Sequence, residues 1–164
     1  MNRDWTARTR DRERRLARAS QALGTKLQGK VAPANDIAAL LGAVIESGDR
    51  VCLEGNNQKQ ADFLARALAA LDPAQVHGLH MVQSVLALPE HLDIFESGIA
   101  SKLDFSFSGP QGARLATLAA AGKIAIGAIH TYLELFARYF VDLTPRVALV
   151  CAQAADREGN LYTG

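Results

Sequence analysis

Five short apolar runs, each parted from the next by a stretch of helical periodicity, set the tightest limit on how this chain can fold. Val51–Leu53, Val76–Val85, Leu103–Phe107, Ile124–Ile129 and Val147–Ala152 read as strands. Helices are predicted over Asp36–Ser47, from Gln58 through Leu71, and over Glu90–Ala100, Gln111–Ala121 and His130–Val141, where apolar residues recur three and four apart. Asn35 is a candidate cap for the first of these, and Gly48 and Gly122 are candidate terminators. The last is apolar on most sides and is expected to be deeply packed. Strands that alternate with helices lie parallel, with the helices on the sheet's faces. The fold class is therefore α/β, an open and mainly parallel sheet with helices on both faces.

Charge divides the 164 residues unevenly. Residues 1–30 carry nine Lys/Arg against three acids, and residues 31–164 carry nine against fourteen. The division is read as a basic N-terminal arm (1–30) and an α/β domain (31–164). In the arm, helix is plausible from Thr9 to Leu23, with a thin apolar stripe of Leu16, Ala19 and Leu23. Such a segment is either a solvated arm or a helix lying on a neighbour, and an acidic protein is its expected partner. It has neither the module nor the interleaved aromatics of a nucleic-acid binder. No apolar run approaches the roughly 18–20 residues that span a bilayer. Cys52 and Cys151 sit inside apolar strands, which suits buried free thiols in a reducing compartment, with cytoplasm the expectation. The chain stops just after the turn at Asn160, which reads as a piece of a longer protein.

The chemistry concentrates in Arg50–Gln60, RVCLEGNNQKQ. A strand that passes to a helix through glycine leaves backbone N–H groups unpaired, and at a helix N-terminus these attract phosphate, carboxylate or a developing oxyanion. Asn56 or Asn57 is the candidate cap of that helix, and Glu54 is expected to fix the loop by accepting backbone N–H bonds. Beyond the other strand ends lie Gln83 and Ser84, then Ser108 and Gly109, then His130, then Asp156 and the Gly159-Asn160 turn. The set is rich in donors and poor in nucleophile–base pairs. No metal site is expected: His77 and His80, three apart in one strand, would face opposite ways, and His91 is remote from both. His130 reads as a packing or capping residue, and Lys102 and Asp104 as surface residues.

CLEGNNQKQADFLARAL (Cys52–Leu68) resembles the alpha subunit of malonate decarboxylase, as do VHGLHMVQSV, KLDFSFSGPQ, IGAIHTYLELFARYFVDLTP and ADREGNLYTG. The likeness begins near Gly29 and runs to Gly164. It implies a CoA-transferase-like fold, of which 31–164 would be the first domain, cut before a second. It also implies transfer of an acyl carrier protein (ACP) thiol from acetyl to malonate, giving malonyl-S-ACP and acetate, within a multisubunit complex of malonate catabolism. The thiol would belong to the carrier's dephospho-CoA-derived prosthetic group, with no cofactor bound directly. Implied partners are the ACP, the decarboxylase subunits, malonate and acetate, with no nucleic acid and no membrane. Gly55, Asn56, Asn57 and Gln58 would supply the oxyanion donors, and Lys59, Gly109, His130 and Asn160 would meet the carrier's group. The alternatives are a non-catalytic, truncated assembly domain and a sugar-phosphate-binding α/β isomerase.

Overall fold

The computed structural model describes residues 5–55 and 60–162. Five parallel strands form one sheet in the order β4-β3-β2-β1-β5. They are β1 (Arg50–Leu53), β2 (Leu79–Val85), β3 (Ala100–Phe107), β4 (Ala125–Ile129) and β5 (Val147–Leu149). From β1 to β4 the chain steps in one direction through α3 (Asp62–Ala69), α4 (Glu90–Glu96) and α5 (Gly112–Ala120). Parallel crossovers are right-handed, so these helices share a face. The return from β4 to β5 runs the opposite way, which sends α6 (Tyr132–Val141) to the other face. On the α3 side, α2 (Ile37–Val44) packs on α3, and α1 (Trp5–Leu23) packs on α2. A two-stranded hairpin, β6 (Ala154–Ala155) and β7 (Leu161–Tyr162), follows where only a turn was expected.

Alternation along the strands sorts the two faces. Val51, Leu53, Leu79, Met81, Leu103 and Phe105 join Leu41, Leu68, Leu92, Ile94, Leu115 and Leu118 in the main core. Each fully buried side chain of this size contributes roughly 2 kcal/mol. Among the described residues, the other face holds a small cluster, Val82, Leu135 and Leu143, with Tyr139 against it. Helix α6 was expected to be deeply packed, but only its Leu135 is buried. Tyr132, Phe136 and Phe140 are about 60% exposed, and Leu133 80%. Having crossed the sheet alone, α6 meets it with one side and presents the other outward. Apolar residues all round a helix mark burial or an interface, and the pattern does not distinguish them.

Several boundaries also shift. Gly78, at φ +66°, turns the chain after Val76 and delays β2 to Leu79, so His77 precedes the strand. Ala100 belongs to β3, because Gly98 at φ +83° ends the helix region early. Helix α3 begins at Asp62 with Ala61 at its N-cap, and the expected caps Asn56 and Asn57 lie outside the described residues. Gly122, at φ +73°, closes α5 as expected.

The basic arm is helical from Trp5 and lies on α2. Its anchor is Arg15, only 7% exposed. The guanidinium pairs with Asp49 at 2.5 Å and with Asp11 and Glu46 at 3.0 Å, and it donates to the Val44 carbonyl at 2.7 Å. Arg14 and Arg18 also reach Glu46. The Arg14 hydrogen bond, helped by Arg18 and Arg15, outweighs burial and holds the Glu46 carboxyl down at about 2.

Candidate functional site

In an open α/β sheet the crevice lies beyond the strand ends where the strand order reverses, here between β1 and β5. Glu54 stands at that point. Its amide donates to the Leu149 carbonyl at 2.9 Å, and its carboxylate accepts the Cys151 amide at 2.6 Å. Glu54 therefore ties the exits of β1 and β5 together, the structural role expected of it. Its carbonyl accepts the Ala61 amide at 3.2 Å, and Gly55 bridges to Gln60. The base of the turn is thus closed by backbone pairing. At the helix that follows, the Asp62 carboxylate pairs with Arg66 at 2.7 Å, so the described first turn of α3 already carries a negative charge.

Gly55 is required by close approach. A Cβ there would press on the Val85 carbonyl and, at 2.6 Å, on Cε1 of His91. Gly109, at φ +53°, flanks the same segment, since its Cβ would sit 3.2 Å from the Leu86 carbonyl. The fold thus brings Gly55 and Gly109 to either side of the end of β2. The adjoining core holds two polar side chains with no exposure, Gln83 and His91. Among the described residues, neither polar atom of either side chain has a well-formed hydrogen bond. Burial pushes the His91 pKa down, against the charge of Glu90 and the contact with the Val85 carbonyl, which keeps the ring neutral. Orphaned buried groups cost about 1–3 kcal/mol each, so a native fold that keeps them calls for an explanation.

A second polar cluster lies on the α6 face. Nε2 of His80 is 2.6 Å from one oxygen of Asp104, and Nε2 of His130 is 2.7 Å from the other. Asp104 was expected at the surface, yet it is 2% exposed, because α6 roofs its side of β3. Lys102 is exposed as expected. Burial raises the Asp104 pKa, but the bonds from His130 and His80 overcome it and hold the carboxyl below its usual value. Burial lowers the His80 pKa against the pull of Asp104, so the ring is neutral at pH 7. Its Nδ1 accepts a long 3.4 Å contact from Arg50, which assigns the proton to Nε2, facing Asp104. His130 Nδ1 lies 3.2 Å from Glu134 without hydrogen-bond alignment. Gly127 makes the cluster possible, since any Cβ there would land on the Asp104 carboxylate. With both Nε2 atoms facing the carboxylate, the trio is a closed proton-bonded set. Among the described residues, no group of three or more His, Cys, Asp or Glu could hold a metal. Cys52, on the α6 face, and Cys151, against the main core, are both partly buried. Burial raises the Cys52 pKa, against a 3.3 Å contact with the Tyr139 hydroxyl.

Of the candidate site residues, Asn56, Asn57, Gln58 and Lys59 lie outside the described residues. His130 is buried on the opposite face from His91, bonded to Asp104, and does not join Gly55 and Gly109. Asn160 turns the β6–β7 hairpin with its amide on Asp156 at 2.7 Å, and that hairpin packs on Gly29 and Lys30. The carrier-binding group named from the resemblance is therefore not one cluster. Reading the strand ends did find Gln83. It missed Asp104 and Asp49, whose partners lie 24 to 34 residues away along the chain.

A family model described as malonate decarboxylase, alpha subunit, transporter matches residues 4–164. The acetyl-S-ACP:malonate ACP transferase of Malonomonas rubra is 55% identical over 160 residues, which are 98% of this chain and 28% of that protein. The crystal structure of a Pseudomonas malonate decarboxylase hetero-tetramer in complex with malonate contains a chain 54% identical to this one. It superposes with a TM-score of 0.91 over 100% of this chain and 29% of that one. The alpha subunit of a malonate decarboxylase from Acinetobacter baumannii gives 0.91 at 51% identity, over 98% of this chain and 29% of its own. The chain thus spans less than a third of the length of these relatives. With a match over nearly every residue, it belongs to the malonate decarboxylase alpha-subunit family.

Proposed function

We propose that the chain forms the first α/β unit of an acetyl-S-ACP:malonate ACP transferase, which moves the carrier thiol from acetyl to malonate. The observation that carries this is the 55% identity to a protein of that name over 98% of the chain. In the reaction a malonate carboxylate oxygen attacks the acetyl thioester carbonyl and the carrier thiolate leaves, giving an acetyl–malonyl anhydride. The thiolate then attacks the malonyl carbonyl of the anhydride, releasing acetate and forming malonyl-S-ACP. Each attack passes through a tetrahedral oxyanion that preorganised N–H donors stabilise. The turn from Gly55 through Gln58 is the proposed source of those donors, with Lys59 and Gly109 toward the carrier's prosthetic group. Its position beyond β1, beside the reversal of strand order, supports the reading. The proposed setting is a cytoplasmic complex with the ACP and the decarboxylase subunits. Among the described residues no helix is long and apolar enough to cross a membrane.

The test is exchange of labelled malonate into acetyl-S-ACP by an intact alpha subunit with alanine at the position aligned with Asn57. A fall of about 100-fold, equivalent to roughly 3 kcal/mol, is expected with the fold intact. A change below about threefold removes the turn from the mechanism. The short span of the chain favours a second reading, in which it folds and assembles but turns over nothing alone. Assaying the 164-residue chain alone and with the rest of an alpha subunit supplied separates the two readings: label transfer only in the second mixture supports an incomplete transferase, and transfer in neither leaves the assembly reading.

A further inference from the structure

Two neighbouring ridges run along the outward side of α6. Tyr132, Phe136 and Phe140 follow one another at intervals of four, and Leu133, Ala137 and Val141 do the same beside them. All six are exposed, Leu133 at 80% and Val141 at 67%. Phe136 and Phe140 stack edge to face at 5.3 Å, so the ridge is preformed. Ridges spaced by four are what a second helix packs into. At Val141 the surface continues into a cleft of about 880 Å³ between α1 and the end of α6, lined by Leu16, Val44 and Val147 together with Arg8, Arg12, Arg50 and Arg146. Soluble proteins rarely leave so continuous an apolar surface uncovered.

The surface also says what kind of occupant it takes. Over ten residues α6 is about 15 Å long, and with the cleft beyond it the surface exceeds what a small molecule covers. Charge plays little part along the ridges, because Arg138 is paired with Asp142 on its own helix. Parallel sheets bury both faces, but among the described residues only α6 covers this one. Relatives with the same fold, at a TM-score of 0.91, hold this unit in only 29% of their length. Most of their polypeptide must therefore pack against something.

We propose that the outer face of α6, with the cleft at its C-terminal end, seats a second folded unit formed by the part of the alpha-subunit polypeptide that this chain does not match. The inference rests on family membership and the exposed ridges, and it stands whether or not the turn at Gly55 serves acyl transfer. Aspartate at Phe136 and Phe140 tests it in two proteins. In the 164-residue chain, where these side chains face water, Phe136→Asp with Phe140→Asp should move Tm by no more than about 2 °C. In an intact isolated alpha subunit, aspartate at the two aligned positions should lower Tm by about 5 °C or more, because the carboxylates would enter a packed interface. It should also expose the junction between the two units to limited proteolysis.

Equal, small effects in both proteins overturn the proposal. So does an intact alpha subunit that tolerates the change but no longer joins the other subunits, which would assign the face to one of them. Self-association of the 164-residue chain that the substitutions abolish, with the intact subunit unaffected, assigns the face to a second copy and overturns it too. Transfer activity enters none of these readings.

Discussion

Asp104 accepts from two histidines that arrive from β2 and from the end of β4, and its side chain is all but sealed from water. A carboxylate with both oxygens engaged in this way is hard to replace. Asp104→Asn keeps the shape but turns an NH2 toward an Nε2–H that needs an acceptor. A loss of about 3 kcal/mol in urea unfolding is expected, and a loss under about 1 kcal/mol would contradict the hydrogen-bond assignment. Gln83 should behave in the opposite sense. Its amide is buried and has no hydrogen-bond partner among the described residues, so Gln83→Met removes a desolvated polar group at nearly constant volume. Stability should rise by about 1 kcal/mol in the same experiment, and a fall would mean that the amide has a partner in the folded chain. Neither environment was legible from local sequence. Along a strand, alternate polar residues mark a face that meets water or a face that meets other polar groups, and only the register of β2, β3 and β4 decides between them.

At the scale of elements, α1 and α6 depart most from what their patterns suggest. The thin apolar stripe of α1 pointed to a solvated segment or one lying on a neighbour, and its docking runs through charge. Arg12 faces the cleft, but Arg14 and Arg15 are held by Asp11, Glu46 and Asp49, so reversing their charge would disrupt the fold before it tested any carrier contact. The docking should depend on pH. Glu46 has a carboxyl depressed to about 2 from an ordinary 4.5. Its contribution is complete above the ordinary value and is lost as pH falls through the folded one. Urea unfolding of the natural chain and of Glu46→Gln should therefore differ by a constant amount above pH 5 and converge toward pH 2. A gap that does not narrow would show that Glu46 is not what titrates. Helix α6 was misjudged for a different reason, because its composition is that of a buried helix while its outer side is exposed.

Over the whole molecule, the alternation of strands and helices was plain because each element needs only local periodicity to be recognised. The parallel arrangement then followed from the length of the connections. Handedness makes one further feature intelligible after the fact: a lone return crossing leaves the α6 face thinly covered while three forward crossings fill the other. The role of Glu54 was also foreseen, since a carboxylate at a strand exit has backbone amides within reach. The ion pairs of α1 bear on how the chain is made. Arg14, Arg15 and Arg18 leave the ribosome about 30 residues ahead of Glu46 and Asp49, which at roughly 5–20 residues per second is a wait of seconds. In proteins most helical stability comes from packing, which α1 lacks during that interval. The first helix in order of synthesis therefore cannot dock until Asp49 has followed it, and a nascent chain halted before Asp49 would carry it loose.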